Sequence, residues 1–214
     1  MAQGRFYKVR LALWAGAIVS SFVTGGAFLW KEFSPPRPHD VQVTGEADIR
    51  NEYSLTDHTG RAVTEADFAG RWQLVFFGFT YCPDICPTTL AYMASVIDLL
   101  GPKAERVAPI FVTVDPARDT VPVIAEFVAA FHPRLIGLTG TEAQVAEAAR
   151  NFRVYFERME DAAAPDGYLM AHSGYIYVMR PDGRFDAVFR EGGQPPEDLA
   201  EEIAMRIEKE EKSR

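Results

Sequence analysis

The chain has 214 residues, 48% of them hydrophobic, and a formal net charge of −8. This length and apolar content suffice for one substantial core, and predict a single globular unit at ~100–200 residues per domain. Residues 1–32 carry four basic and one acidic side chain, so the rest of the chain carries −11. Such an acidic surface argues against nucleic acid as a partner.

Residues 11–30 form an uncharged stretch of twenty, about the length of a membrane-spanning helix. A cleaved signal peptide is the alternative, but its apolar region would be only about 7–15 residues long. Arg5, Lys8 and Arg10 precede the stretch, which predicts a cytoplasmic N-terminus at 1–10 and an exported main domain. No long Arg- and Ser-rich presequence stands before it, so we expect a single-pass anchor in a bacterial inner membrane, with the main domain in the periplasm.

Residues 31–48 are rich in proline and polar side chains and predict a linker, followed by a folded domain at 49–207 and a charged tail at 208–214. Short apolar alternation on both sides of a turn at 57–60 predicts a hairpin within 53–63. Apolar runs and helical periodicities then predict strands at 73–79, 107–114 and 135–138, helices at 87–100, 120–131 and 141–152, a meander of strands at 153–159, 173–179 and 184–189, and a final helix from about residue 197. Helical crossovers followed by hairpins predict an α/β fold, with a mixed sheet flanked by helices and preceded by one transmembrane helix.

Both cysteines of the chain lie in the stretch TYCPDICP, residues 80–87, directly after the first buried strand. In an α/β sheet, this carboxyl edge is where ligand sites lie. Because a residue before proline is disfavoured in the α region, Cys82 and Cys86 are both expected to precede a helix that starts at Pro87. Asp84 between them is expected to stabilise the turn. A helix N-terminus favours the thiolate, so the pair predicts a reactive dithiol: a redox catalyst or a metal site more than a structural disulfide.

A single imidazole would complete a three-coordinate site, and soft sulfur ligands select copper(I), zinc or iron–sulfur clusters. The chain has four histidines. His39 lies in the linker, His58 in a turn and His132 after a helix end, so none of these has a clear claim. His172 opens the apolar strand at 174–179, a position that suits a structural side chain as well as a ligand.

Three motifs, GFTYCPDICPTTL at 78–90, VTVDPARDT at 112–120 and HSGYIYVMRPDG at 172–183, resemble in order and separation the Sco/SenC family of membrane-anchored, thioredoxin-like copper proteins. The resemblance covers roughly 49–207 and the anchor. It implies that Cys82, Cys86 and His172 bind copper, as Cu(I) and/or Cu(II). It also implies a metallochaperone that is not an enzyme and that delivers copper to the binuclear centre of cytochrome c oxidase. The implied partners are the copper-accepting subunit of a haem–copper oxidase and another periplasmic copper chaperone or thiol reductase.

The second motif contains Asp115 and Asp119, which we expect to act as a turn residue and a helix N-cap. Asp115 is also a candidate for orienting the site from behind its ligands. One departure from the family concerns Ala171, because the family usually has an aspartate immediately before the ligand histidine. Copper affinity, histidine orientation or partner docking is therefore expected to differ from the family pattern.

The alternative function is a periplasmic thiol–disulfide oxidoreductase, with Cys82 and Cys86 as its catalytic pair, that keeps the oxidase's copper-ligand cysteines reduced. A sensor of copper or redox state is a further alternative. A peroxidase would need one low-pKa cysteine with an activating arginine, and the paired cysteines argue against it. Thiolate exchange does not require His172, so this histidine separates the copper chaperone from the oxidoreductase.

Overall fold

The computed structural model describes residues 48–190 and 192–212. The predicted cytoplasmic segment 1–10, the anchor 11–30, the linker up to residue 47 and His39 lie outside the described residues. The strands are β1 Ser54–Asp57, β2 Ala62–Thr64, β3 Trp72–Gly78, β4 Val107–Thr113, β5 Ile136–Thr139, β6 Phe156–Glu160, β7 Tyr168–His172, β8 Tyr175–Met179 and β9 Phe185–Arg190. The α-helices are α1 Ile85–Leu100, α2 Val121–Ala129, α3 Glu142–Asn151 and α4 Pro196–Lys212, and short 3-10 helices occupy Glu65–Phe68, Gly101–Arg106 and Pro165–Gly167.

Seven strands form one mixed sheet in the order β2-β1-β5-β4-β3-β8-β9. The central strands β3, β4 and β5 run parallel, whereas β8 and β9 at one side and β1 and β2 at the other are antiparallel to their neighbours. Every residue of β3 and β4 is buried, as expected for central strands covered on both faces. The predicted mixed sheet with flanking helices is confirmed.

Helix α1 begins earlier than predicted, at Ile85, so Cys86 lies inside its first turn and only Cys82 precedes it. Pro87 is then the third helical residue. The first four N–H groups of a helix have no intrahelical acceptor, so the N–H that proline lacks is not missed there. The prediction that both cysteines precede the helix was therefore wrong for Cys86.

A strand that the sequence did not predict, β7, pairs with β6 in a separate two-stranded sheet. The predicted three-stranded meander is therefore wrong in its first member, and only β8 and β9 pair with each other and join the main sheet. His172 ends β7 and does not open β8. Most of β6 and β7 is only partly buried or exposed, so neither strand shows the apolar pattern of a core strand.

Helix α4 extends to Lys212, so residues 208–212 of the predicted charged tail are helical. Their carboxylates bond the body of the domain: Glu208 pairs with Lys103, Glu211 pairs with Arg106, and Glu210 accepts a hydrogen bond from the indole of Trp72. The first two contacts are exposed ion pairs, whereas the indole belongs to a buried side chain.

Among the described residues, one helical stretch, Ile85–Arg106, is long and apolar enough to cross a membrane by length and composition alone. It comprises α1 and the 3-10 helix after it, and its apolar residues Leu90, Met93 and Ile97 are buried in the core of the domain.

Candidate metal centre

The topology brings His172 to the cysteines. Strand β8 is antiparallel to β3, with Ile176 opposite Phe76, so the start of β8 lies beside the end of β3. The cysteine loop leaves β3 at that same edge, and His172 lies three residues before β8. As a result, the sulfurs of Cys82 and Cys86 and a ring nitrogen of His172 all lie within 4.8 Å of one another.

The sulfur of Cys86 is completely buried and lies 3.4 Å from Nε2 of His172. It packs against Gly78, the last residue of β3. A Cβ atom at position 78 would lie 2.7 Å from this sulfur, which is closer than real Cβ contacts come. Because it lacks a Cβ atom, glycine at position 78 leaves the space that the Cys86 sulfur occupies. A lone glycine in a buried strand is a sequence signal for such a close approach, and sequence reasoning did not use it.

Cys82 is half-buried in the loop before α1. Its N–H donates to the carbonyl of Phe79 at 3.3 Å, which closes a turn, and its sulfur accepts the N–H of Cys86 at 3.4 Å. A hydrogen bond from the Cys86 thiol, with smaller contributions from His172 and two backbone N–H groups, outweighs burial and lowers the pKa of Cys82 to about 4. Cys82 is therefore the thiolate of the pair at neutral pH.

Cys86 shifts in the opposite direction. Its hydrogen bond to the Cys82 thiolate, together with burial and the Cys82 charge, raises the pKa of Cys86 far above its ordinary value. The metal-free pair thus holds one proton, on the inner sulfur. A metal ion that binds both thiolates must displace that proton, so its affinity depends on pH.

The imidazole of His172 has a defined orientation. Its Nδ1 lies 3.2 Å from the carbonyl oxygen of Ser173. Because a carbonyl only accepts, Nδ1 carries a proton, and Nε2 is the ring nitrogen that faces the cysteine sulfurs. The rings of Phe76 and Phe79 pack edge-on against the imidazole, with centroids 6.0 and 5.7 Å away, and exclude water from that side.

The other described histidines have structural hydrogen bonds elsewhere. His58 Nδ1 accepts the N–H of Gly137 at 3.2 Å. His132 Nδ1 accepts the N–H of Arg134 at 3.1 Å, and its Nε2 lies 3.2 Å from a carboxylate oxygen of Asp98. Of the histidines that the structure describes, His172 alone joins the cysteines in the metal-ligand cluster.

Asp115 is buried at the carboxyl end of β4, where it pairs with Arg118 at 2.5 Å and accepts a hydrogen bond from Tyr168 at 3.1 Å. The guanidinium of Arg118 lies over the rings of Tyr168 and Phe79, 3.7 and 5.9 Å from their centroids. Since Phe79 in turn packs on His172, Asp115 is linked to the imidazole through two intervening side chains. A direct orienting role for Asp115 stays a prediction.

The prediction that Asp119 is the N-cap of α2 was wrong, because Thr120 occupies that position. The carboxylate of Asp119 instead bonds the start of the cysteine loop. Asp84 is the N-cap residue of α1, without a side-chain capping bond, and its carbonyl accepts the N–H and the hydroxyl of Thr88. Asp84 thus stabilises the turn, as expected, but it does so through its backbone carbonyl.

Two sulfur donors and one imidazole nitrogen, with a low-pKa thiolate among them, fit a copper site. Soft thiolates favour copper(I), and imidazole tolerates copper(II) as well. Comparison with known proteins agrees with this chemistry. The family model described as SCO1/SenC matches residues 41–208. The chain belongs to the SCO1/SenC family.

Relatives and solved structures support this membership. The chain is 47% identical to the mouse "Protein SCO2 homolog, mitochondrial" over 138 residues, which are 64% of this chain and 54% of the relative. It is 32% identical to "Protein SCO2, mitochondrial" of Saccharomyces cerevisiae over 98% of this chain and 72% of the relative. The crystal structure of Arabidopsis thaliana ScoI with copper bound is similar with a TM-score of 0.69 and 37% identity, covering 75% of this chain and 99% of that one. The thioredoxin-like fold expected for the family is confirmed by such Sco structures.

The relatives contradict the predicted bacterial inner-membrane location. Those from mouse, Arabidopsis and Saccharomyces are all named mitochondrial, so the homologues point to a mitochondrial location. Basic residues beside a membrane span predict its orientation, but they do not distinguish a bacterial from a mitochondrial membrane. The choice of the bacterial membrane depended on the residues before position 11, and the chain spans only about half the length of the first curated relatives that it matches.

Proposed function

We propose that this SCO1/SenC protein is a membrane-anchored copper metallochaperone that passes copper to the binuclear copper centre of cytochrome c oxidase. Cys82, Cys86 and His172 are its ligands, and residues 11–30 are its anchor. The observation that carries the proposal is the convergence of these three donor atoms within 4.8 Å of one another. Similar Sco structures from Arabidopsis and yeast contain copper, which supports the same cargo here.

The two thiols have different roles in holding and releasing the copper ion. Cys86 is fully buried, whereas Cys82 is half-buried and opens to the surface. Ligand exchange with an acceptor therefore begins at Cys82, while Cys86 and His172 keep the ion from the inner side. Tyr81 and Ile85, 43% and 48% exposed, flank this opening and offer an apolar surface for the copper-accepting subunit.

The test of the ligand set is a copper(I) titration of the reduced full chain against a chromophoric chelator. His172→Ala is expected to weaken binding at least tenfold, because the site loses one of three donors. His132→Ala is the matched control, since His132 bonds Asp98 and Arg134 away from the cysteines. Equal affinities for wild type and His172→Ala would refute the three-ligand site.

Delivery has its own experiment. Copper-loaded protein is mixed with the reduced, metal-free copper-accepting domain of a haem–copper oxidase, and the metal on each protein is measured after separation. The proposal expects copper on the acceptor, and faster transfer from the wild type than passive release into the chelator. Transfer no faster than passive release would argue against a chaperone.

A second candidate function is thiol–disulfide exchange with the oxidase's copper-ligand cysteines, and the low pKa of Cys82 favours it. The metal-free dithiol would reduce an acceptor disulfide and itself become the Cys82–Cys86 disulfide. The reduction should persist in His172→Ala and disappear in Cys82→Ser. A His172→Ala protein that keeps this activity but loses copper transfer would show that the two functions coexist.

A further inference from the structure

The carboxylate of Asp119 is completely buried at the end of the loop between β4 and α2. It accepts the N–H of Thr80 at 3.0 Å, the hydroxyl of Thr80 at 2.5 Å and the hydroxyl of Thr113 at 2.6 Å. These three bonds hold the carboxyl group in one place and offset the cost of burying it. Asp119 is therefore a buried side chain fixed by hydrogen bonds, and not a solvated loop residue.

The groups that Asp119 joins come from the turn after β3 and from the end of β4. Thr80 is the second residue of the turn that runs from Phe79 to Cys82 and is closed by the Cys82 N–H. Thr113 is the last residue of β4, in register with Gly78 at the end of β3. Asp119 thus fastens the turn that carries Cys82 to the rigid edge of the central sheet.

The other two donor groups are held independently of this contact. Cys86 belongs to the first turn of α1 and packs on Gly78, and His172 is held by β7 and the carbonyl of Ser173. Of the three, Cys82 alone is carried by the turn that Asp119 holds. A change at this contact should therefore alter one side of the site and leave the Cys86–His172 contact in place.

We propose that Asp119 is a positioning residue that sets the Cys82 sulfur, through Thr80, at the distance from Cys86 and His172 that copper binding needs. This rests on the proposed function, since it concerns the same site. Without the contact, the turn samples other conformations and copper has to order it again. Groups that hold metal ligands from behind typically change metal affinity 10–100-fold when they are lost.

The test uses matched substitutions in the full chain. Thr80→Val removes the hydroxyl but keeps the shape of the side chain, and Thr80→Ser keeps the hydroxyl. Thr139→Val is the control for general destabilisation, because the buried Thr139 hydroxyl bonds the backbone carbonyl of Asp119 and not its carboxylate. We expect copper(I) affinity, measured by chelator competition, to fall about tenfold in Thr80→Val and to stay within about threefold of wild type in the other two. An unchanged affinity in Thr80→Val, or an equal loss in Thr139→Val, would overturn the positioning role.

A metal-free measurement separates this inference from the proposed function. The ratio of disulfide to dithiol at Cys82 and Cys86 in a glutathione buffer reports how closely the two sulfurs are held. Thr80→Val should shift that ratio about threefold or more toward the dithiol, and Thr80→Ser and Thr139→Val should not. If wild type binds no copper but this shift occurs, the proposed function fails, whereas the positioning of Cys82 relative to Cys86 by Asp119 stands for the metal-free protein. If copper binding depends on His172 while Thr80→Val matches Thr80→Ser in both measurements, the copper site stands and the positioning role fails.

Discussion

Nε2 of His172 lies 3.4 Å from the sulfur of Cys86, although 86 residues separate the two in sequence. The contact depends on the antiparallel pairing of β8 with β3, which places the residues just before β8 at the carboxyl end of β3. It also depends on the separate β6–β7 hairpin, which ends at His172. The metal-ligand cluster is thus assembled at a junction of two sheets, where side chains from distant parts of the chain meet.

Gly78→Ala should damage the site through the inner sulfur. The new Cβ would lie 2.7 Å from the Cys86 sulfur and 3.0 Å from the ring of Phe111, so the sulfur must move. We expect a loss of about 1–3 kcal/mol in the free energy of unfolding and a weaker affinity for copper(I). Urea unfolding and chelator competition measure the two effects.

The control for this substitution is Gly137→Ala, whose Cβ would overlap the side chain of Ile124, away from the cysteines. It should lower stability without lowering the copper affinity of the folded protein. If both alanine variants bound copper as tightly as wild type, the packing of Cys86 on Gly78 would not be a requirement of the site.

Alkylation of the metal-free protein by iodoacetamide should distinguish the two cysteines. With its pKa lowered to about 4, Cys82 is already a thiolate at pH 6, so its rate should change little between about pH 6 and 8. An ordinary thiol would react roughly 100-fold faster over the same range, because its thiolate fraction rises tenfold per pH unit. Cys86, buried and protonated, should react slowly throughout.

The partner of Cys82 can be tested in the same assay. A hydrogen bond from the Cys86 thiol is the largest cause of the lowered pKa, and the bond from His172 is smaller. Cys86→Ala should therefore move the alkylation profile of Cys82 to higher pH by more than His172→Ala does. Mass spectrometry of the labelled peptides identifies which cysteine has reacted. A steep profile for wild-type Cys82 would contradict the thiolate.

Ala171→Asp should change copper affinity by less than about threefold, despite the family's usual aspartate. Successive residues of a strand face opposite sides, and Ala171 is opposite Glu157 whereas His172 is opposite Phe156. A carboxylate at 171 would therefore lie on the far side of the hairpin from the imidazole. There it would meet Glu157, and like charges across strands repel. A tenfold change in chelator competition would show that position 171 acts on the site.

The central sheet could be predicted from the sequence because its strands carry their own signal. β3 and β4 are continuous apolar runs, and the helices between the parallel strands keep apolar periodicity, so their existence and order follow from burial alone. The cysteine loop was predictable for the same reason, since it follows directly on β3. Within the site, Cys82 and Cys86 could be predicted from local sequence, because ligand sites in α/β sheets lie at the carboxyl ends of the strands.

The rest of the site required pairing information that a single chain does not carry. β7 is a short, partly exposed strand whose partner β6 is also largely exposed, so burial gives it no pattern. Without β7, the sequence left His172 as suitable for a structural role as for a ligand. The start of α1 at Ile85 was missed because the local preference of a residue before proline was overridden at Cys86, which packs against Gly78.

Acid should remove a stabilising contribution at the turn after β1. Asp57 is buried, which opposes ionisation, but hydrogen bonds from Thr59 and Arg61 outweigh burial and lower the pKa of Asp57. Because the folded pKa lies below the unfolded value of about 4, this stability is present above pH 4 and is lost as the pH falls through the folded pKa. Asp57→Asn should cost about 1.5–3 kcal/mol at pH 7 and show a smaller decline in acid. Urea unfolding at several pH values measures both, and parallel curves for the two proteins would contradict the assignment.

The C-terminal turn of α4 allows a test of whether the charged residues 208–212 stabilise the fold. The indole N–H of Trp72, a residue only 2% exposed, donates to Glu210 at 3.2 Å. Glu210→Ala removes that acceptor, so we expect a loss of about 1–3 kcal/mol in the free energy of unfolding. Glu210→Gln keeps a carbonyl oxygen and should recover most of the loss. Glu208→Ala breaks only the exposed pair with Lys103 and should cost less than about 1 kcal/mol. If Glu210→Ala and Glu208→Ala were equally mild, residues 208–212 would behave as the solvated segment that their composition predicts, despite their helical structure.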